Sequence, residues 1–196
     1  MENKVKKILL TTALAITTSY YGAMAQAADY QIDVKGAHAS ILFKIKHLGY
    51  SWLNGRFNNF SGDFSYDSLN PEKSSINVNI VTASLDSNHA ERDKHLRGDD
   101  FLDVKKYPKA LFKSNSFKVI NDNEATVTGN LTLHGVTKEI SFPVQKVGEG
   151  KDPWGGYRAG FSGETSLKLA DYGITYNLGP ASTQVILELN IEGVRK

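Results

Sequence analysis

Apolar residues recur at every second position through much of this chain, and that period restricts its fold more than any other feature. Ile41, Phe43 and Ile45 share one face of a strand while Lys44 and Lys46 share the other, and Ile76-Asn-Val-Asn-Ile80 alternates strictly. Leu111 to Ile120, Ala125 to Leu133, Lys138 to Val147, Arg158 to Leu169 and Thr183 to Ile191 read the same way. Turn chemistry separates them at Asn121-Asp-Asn123, His134-Gly135 and Gly148-Glu-Gly150. Strands joined by such tight turns are antiparallel. Their apolar faces must be buried by packing sheet on sheet or by closing into a barrel, and about eight strands suffice to enclose a small cavity. The opposite faces carry lysine, asparagine and serine, which suits water and argues against a barrel embedded in an outer membrane.

One segment breaks the alternation. Residues 88–97, Asn-His-Ala-Glu-Arg-Asp-Lys-His-Leu-Arg, read as a short helix, with Asn88 three residues before Glu91 in a capping arrangement. Glu91 with His95, and Asp93 with Arg97, are spaced to pair along its surface.

The first 27 residues read as a secretory signal peptide: Lys4, Lys6 and Lys7, then a mostly apolar run from Ile8 to Ile16, then small residues up to Ala27. Cleavage after Ala25 or after Ala27 satisfies the small-residue rule. The threonines and serine of this segment dilute it below a membrane span. The expectation is therefore a periplasmic protein without stable membrane insertion, formed by a single domain over residues 28–196. The leader carries three lysines and one glutamate against a net charge of +2 for the whole chain, so residues 28–196 are neutral. That excludes the basic footprint of a nucleic-acid binder. Without cysteine there is no disulfide framework, thiolate nucleophile or thiolate metal site.

Five motifs then occur in order: His47-Leu-Gly-Tyr-Ser-Trp-Leu-Asn-Gly-Arg-Phe57, Asn88 to Arg97 with Phe101-Leu-Asp-Val, Lys106-Tyr-Pro108, Gly129-Asn-Leu-Thr-Leu-His-Gly-Val-Thr-Lys138 and Asp152-Pro-Trp-Gly-Gly156. Together they resemble the YceI-like family of bacterial periplasmic proteins, from Asp29-Tyr30 to Glu192-Gly-Val194. Glu139, where proline is common, and Ala170, where a basic residue is frequent, are modest departures at a strand start and a turn. The resemblance implies an all-β, lipocalin-like antiparallel barrel of about eight strands with the helix near 88–97 inserted. It also implies a long apolar cavity holding a polyisoprenoid lipid, such as a polyprenyl phosphate or a quinone tail. The inward rows nominate Phe43, Ile45, Phe57, Phe64, Val78, Ile80, Leu131, Leu133, Phe142, Phe161, Leu187 and Leu189 as its lining. His47, Arg92 and Arg97 are the candidates to meet a head group.

No catalytic or metal motif competes. His89 and His95 project about 240° apart on a helix and cannot share an ion there. H-E-x-x-H, G-x-S-x-G and P-loop patterns are absent. The reading is a lipid-binding or carrier protein with no cofactor, no metal and no chemistry of its own. An enzyme using the histidine-rich helix, and an envelope stress or interaction protein with a packed barrel, are the alternatives. Trp52 and Trp154, in glycine-flanked segments read as loops, either stand at the rim, where rings gate lipid or touch a membrane, or plug a barrel end. A homodimer through an exposed strand is left open.

Overall fold

In a computed structural model, residues 27–196 are described; the proposed leader lies outside them up to residue 26. Eleven strand segments and one short helix follow one another: β1 Ala28–Ile32, β2 Ser40–His47, β3 Ser51–Phe57, β4 Phe60–Tyr66, β5 Ser75–Val81, β6 Leu85–Asp86, α1 Ala90–Leu96, β7 Lys109–Asn121, β8 Glu124–Leu133, β9 Val136–Lys151, β10 Tyr157–Lys168 and β11 Gln184–Arg195. Three pairs of these segments are single staves interrupted midway. β11 pairs along one edge with β2 and, further on, with β1. β1 pairs in turn with β4 while β2 pairs with β3, and β4 pairs with β5 while β3 pairs with β6. The other strands each pair with the next in the chain. The sheet therefore closes as an eight-stave, up-and-down antiparallel barrel, in which β11 meets the first stave.

The interruptions have local causes. Between β1 and β2, Asp33 Oδ1 accepts the Gly36 N–H at 2.8 Å, and Ala37 takes a left-handed φ of 59°. Between β3 and β4, the Asn58 and Asn59 N–H groups donate to Ser84 O and Oγ, tying that break to the 3-10 turn Thr82–Ser84 between β5 and β6. Thr82 itself is buried and donates to Tyr107 O at 2.7 Å.

The sequence reads 50–55 as a loop, whereas 51–57 is strand β3, paired along its length with β2. Asn54 and Gly55 weaken its strand signal, yet Gly55 is needed there. A Cβ at this position would lie 2.2 Å from Phe43 Cζ and 2.8 Å from the Asp86 carbonyl oxygen, so the bare backbone makes room for the buried Phe43 ring.

The helix forms where expected but is capped differently. His89 is the N-cap, its Nδ1 accepting the Arg92 N–H at 3.2 Å, and Asn88 precedes it with φ of 62°. The anticipated surface pairs do not form. Asp93 is buried and accepts from the Ser87 N–H at 2.9 Å, Arg97 donates to Leu85 O, and His95 Nε2 sits 3.1 Å from Asp100 Oδ2. Tertiary partners win because the helix packs back on β6 instead of standing in solvent.

Outside the barrel, Arg158 of β10 gathers three carboxylates: Asp33 Oδ2 at 2.7 Å, Asp152 Oδ2 at 2.8 Å and Glu192 Oε1 at 2.6 Å. His38 Nδ1 adds a contact of 2.9 Å to Asp33. The cluster ties the β1–β2 break and the β9–β10 connection to β10 and β11. Hydrogen bonds from His38 and Arg158 hold the Asp33 carboxyl well below the usual carboxylate range.

Two outcomes test this description. Gly55→Ala should destabilise the barrel by ~1–3 kcal/mol in urea unfolding, because Phe43 must leave its rotamer; unchanged stability would show that the ring moves freely. Because Asp33 has a depressed folded pKa, its stabilisation is complete above the unfolded value of about 3.9 and is lost as pH falls below it. The stability deficit of Asp33→Asn should thus be full at pH 7 and shrink below about pH 4, and a deficit constant down to pH 2 would contradict the cluster's role.

Candidate functional site

Antiparallel order places alternate connections at opposite ends. Residues 48–50, 87–108, 134–135 and 169–183 lie at one end, and 67–74, 122–123 and 152–156 at the other. The first end is closed. Leu96 and Leu102 of the helical excursion pack against the barrel core, and Tyr172, almost fully buried, packs with Leu131 and Leu167. Burial raises the Tyr172 hydroxyl pKa. His134 and Gly135 both have positive φ, 50° and 75°, as a tight hairpin turn of the I′ type requires, and the His134 ring lies 4.4 Å from that of Tyr107.

From the second end an apolar cavity runs inward. All the atom-free space in it, open mouth included, comes to about 1240 Å³, but only about 150 Å³ lies far enough from the walls to hold the centre of a water molecule, as in a thin channel rather than a broad chamber. It reaches from Glu124, at the mouth, to Leu131 on β8. Those seven steps span about 24 Å along the strand, or about 18 Å along the axis of a barrel with ordinary strand tilt.

Of the twelve residues nominated from sequence, Phe64, Val78, Ile80, Leu131, Phe142, Phe161, Leu187 and Leu189 line this channel. Phe43, Ile45, Phe57 and Leu133 do not. Phe43 and Phe57 stack at 5.8 Å in the core, Leu133 packs against it, and Ile45 is half-buried opposite Val185. Ile45 and Leu133 lie nearer the closed end, whereas Phe43 and Phe57, registered against the lining residues Leu187 and Ile41, turn onto each other instead. Sequence reasoning missed Ile76, Phe112, Phe117, Val127, Ile140 and Val144, which continue the inward rows of β5, β7, β8 and β9. Their signal was present in the alternation of those strands, except that a bulge between Ser114 and Ser116 shifts the phase of β7.

None of His47, Arg92 and Arg97 lines the channel. All three stand at the closed end. Arg92 donates to Ser87 Oγ at 2.7 Å and to Ser87 O, while Arg97 serves Leu85 O, so both guanidinium groups fasten α1 to β6. His95 lies edge-on to Phe101 and Tyr176 at the same end. Neither tryptophan plugs the barrel: Trp52 and Trp154 are both exposed, at opposite ends.

Apart from Thr165, deeper on β10 opposite Leu187, the polar side chains that face the channel cluster toward its mouth. Lys146 Nζ lies 5.9 Å from the centre of the Tyr66 ring and 3.5 Å from Glu149 Oε1. Burial works against the Lys146 charge, but Tyr66 and Glu149 together outweigh it and hold its pKa above the ordinary value. Ser74 Oγ is buried beside the channel without a hydrogen-bond partner. Glu124 accepts from Asn121 Nδ2 at 2.9 Å and Gln145 Nε2 at 3.0 Å, which fixes its carboxylate at the rim near Asp122.

Comparison with known proteins agrees with this architecture. The barrel superposes on Burkholderia cenocepacia BcnA with a TM-score of 0.73 at 22% identity, covering 82% of this chain and 98% of that one. It superposes on the Campylobacter jejuni YceI protein with a TM-score of 0.71 at 30% identity, covering 78% and 90%. A polyisoprenoid-binding domain from Saccharophagus degradans matches with a TM-score of 0.64 at 18% identity, covering 87% and 100%. In sequence, UPF0312 proteins of Shewanella sp. strain W3-18-1 and Pseudomonas aeruginosa strain LESB58 are each 54% identical over 192 residues, covering 98% of this chain and 100% of theirs. The pattern of the YceI-like domain matches residues 30–193. By that match and by the end-to-end likeness of these relatives, the chain belongs to the YceI-like domain family.

Proposed function

We propose that this protein binds one long isoprenoid-type lipid, with the tail threaded into the barrel channel and the head at its mouth, and serves as a periplasmic binding or carrier protein for it. The observation that carries the reading is the channel itself: apolar along its length, open at one end and narrow. A filled barrel would leave no such space, which supports this reading over a packed interior. An unfilled cavity of about 150 Å³ forgoes on the order of 4 kcal/mol of packing energy. A tail with roughly twenty buried carbons gains on the order of 16 kcal/mol in gross transfer energy before immobilisation costs. A thin channel suits a linear chain better than a fused-ring ligand. The placement of the histidines, none of which lines the channel among the described residues, favours binding over the enzyme reading that used them. The periplasmic location rests on the leader, and the choice of lipid is favoured by the likeness in fold to the polyisoprenoid-binding domain from Saccharophagus degradans.

The mouth narrows the choice of head group. Its lining charges are one lysine, already paired with Glu149, against Asp122 and Glu124. A phosphate would meet two rim carboxylates with only a shared cation to offset them. An uncharged acceptor such as a quinone carbonyl meets donors instead: the ammonium of Lys146 and the hydroxyls of Tyr66 and Ser74. Quinone-type lipids therefore fit this mouth better than polyprenyl phosphates. A strand-edge dimer has two places to use: the two-residue β6, whose Leu85 carbonyl is taken by Arg97, and the gap between β9 and β10, whose pairing ends at Val144 and Gly163.

Native mass spectrometry of the protein incubated with a long-chain prenyl quinone should show a one-to-one adduct. Val144→Trp, which fills the channel near the mouth, should abolish that adduct while leaving a cooperative unfolding transition; full uptake by this variant would exclude the channel as the tail site. A prenyl phosphate of equal tail length should bind ~5-fold more weakly, the effect of ~1 kcal/mol between solvated like charges about 4 Å apart. Asp122→Asn with Glu124→Gln should close that gap. Tighter binding of the phosphate would overturn the head-group assignment.

A further inference from the structure

The open end carries an apolar rim outside the channel. Leu69 in connection 67–74, Ile120 at the end of β7, Val147 in β9 and Trp154 in connection 152–156 are exposed by 72, 57, 73 and 79%. All four belong to segments at the end where the channel opens, and Leu69, Ile120 and Val147 lie within two residues of Pro71, Val119 and Lys146 of its mouth. The tip that bears Trp154 is a built turn. Asp152 Oδ1 accepts from the N–H groups of Trp154 at 3.0 Å and Gly156 at 2.7 Å, and Gly155 supplies a φ of 88°. Large apolar side chains held out in water around the opening of an apolar channel mark an interaction surface.

We propose that this rim docks the open end of the barrel on a lipid bilayer, so that a tail passes between membrane and channel without crossing water. The proposal rests on the reading of the channel as a tail site. The transfer energy that binds a long tail equally opposes its release into water, so exchange needs an apolar path, and the rim supplies one. Around this end Lys73, Lys118, Lys146 and Lys151 are matched or exceeded by Asp67, Glu72, Asp122, Glu124, Glu149 and Asp152, so it carries no basic patch. Docking is accordingly driven by apolar insertion and does not require anionic lipid. The closed end also exposes Leu48, Tyr50 and Trp52, but no channel opens beside them; cations lie over both tryptophan rings, Lys46 and Lys44 at 5.6 and 5.9 Å from Trp52 and Arg158 at 5.8 Å from Trp154, so the channel mouth is what sets the two ends apart.

The two tryptophans, one at each end, make the test. With Trp52→Phe, emission reports Trp154 alone, and vesicles of phosphatidylcholine without any isoprenoid should shift it to the blue and permit quenching by brominated lipid. With Trp154→Phe, the remaining Trp52 should stay unshifted. Leu69→Asp with Val147→Asp should lower co-sedimentation with these vesicles by about tenfold, in line with the loss of buried apolar anchors. It should leave prenyl quinone affinity in solution unchanged, since neither residue lines the channel. An unshifted Trp154, as transfer to a protein acceptor would give, a shifted Trp52, or undiminished sedimentation of the double variant would each overturn the docking proposal. Docking without any uptake of prenyl lipid would instead count against the tail-site reading alone.

Discussion

Everything in this molecule depends on the double pairing of β11. One edge of that strand bonds β10 over its whole length, and the other bonds β2 and then β1. The last strand thereby closes on the first, and the sheet loses the long free edges that would invite aggregation. Closure also fixes which rows point inward. Ile41, Phe43, Leu187, Leu189 and Ile191 share the interior because the register sets Phe43 against Leu187 and Ile41 against Leu189. A slip of one residue would turn Lys44 and Glu188, which pair on the outer surface, into the core.

Within that interior the same alternation does two jobs. On the adjacent strands β2 and β3 the Phe43 and Phe57 rings pack on each other and fill the interior beside them. Toward the mouth Phe64, Phe142, Phe161 and their neighbours line space rather than fill it. The aromatic rings there brace one another against the walls: Tyr30 stacks on Phe64 at 4.8 Å, Phe161 meets Phe64 and Tyr66 edge-on, and Phe112 leans on Phe142. Residue type alone does not reveal which use a given inward position has.

That is why the barrel was more legible than the site. Strict alternation in Ile76-Asn-Val-Asn-Ile80 fixed a strand and its inward face, and the loss of alternation at 88–97 fixed the helix. The strand at 51–57 was obscured by Asn54 and Gly55, whose suitability depends on a ring from the neighbouring strand that local sequence cannot show. Eight lining residues were recoverable because period two places them, while four nominated with them fill the barrel instead. The depth at which packing gives way to channel depends on the connections across the far end. Arg92 and Arg97 look like free cations in sequence; only the fold shows them spent on the Ser87 and Leu85 carbonyls. Lys146 and Ser74, far from each other in sequence and in no motif, reach one mouth because β9 and the β4–β5 connection end there.

The polarity of the barrel follows from its connections. In an up-and-down meander, alternate connections necessarily share an end, and here the two longest, 87–108 and 169–183, fall on the same side. They supply the material that closes it: Leu96 and Leu102 from one, Tyr172 from the other. The opposite end has a two-residue turn at 122–123, a five-residue turn at 152–156 and the segment 67–74, too little chain to cover the opening. A barrel closed at both ends would be a core, and one open at both would be a pore. Uneven distribution of connection length makes a blind channel instead, with its polar groups concentrated at the single mouth. On the proposed reading, such a channel would orient a linear amphiphile without any charged anchor inside it, because only one direction of insertion keeps the head in contact with the hydrogen-bond donors of the mouth.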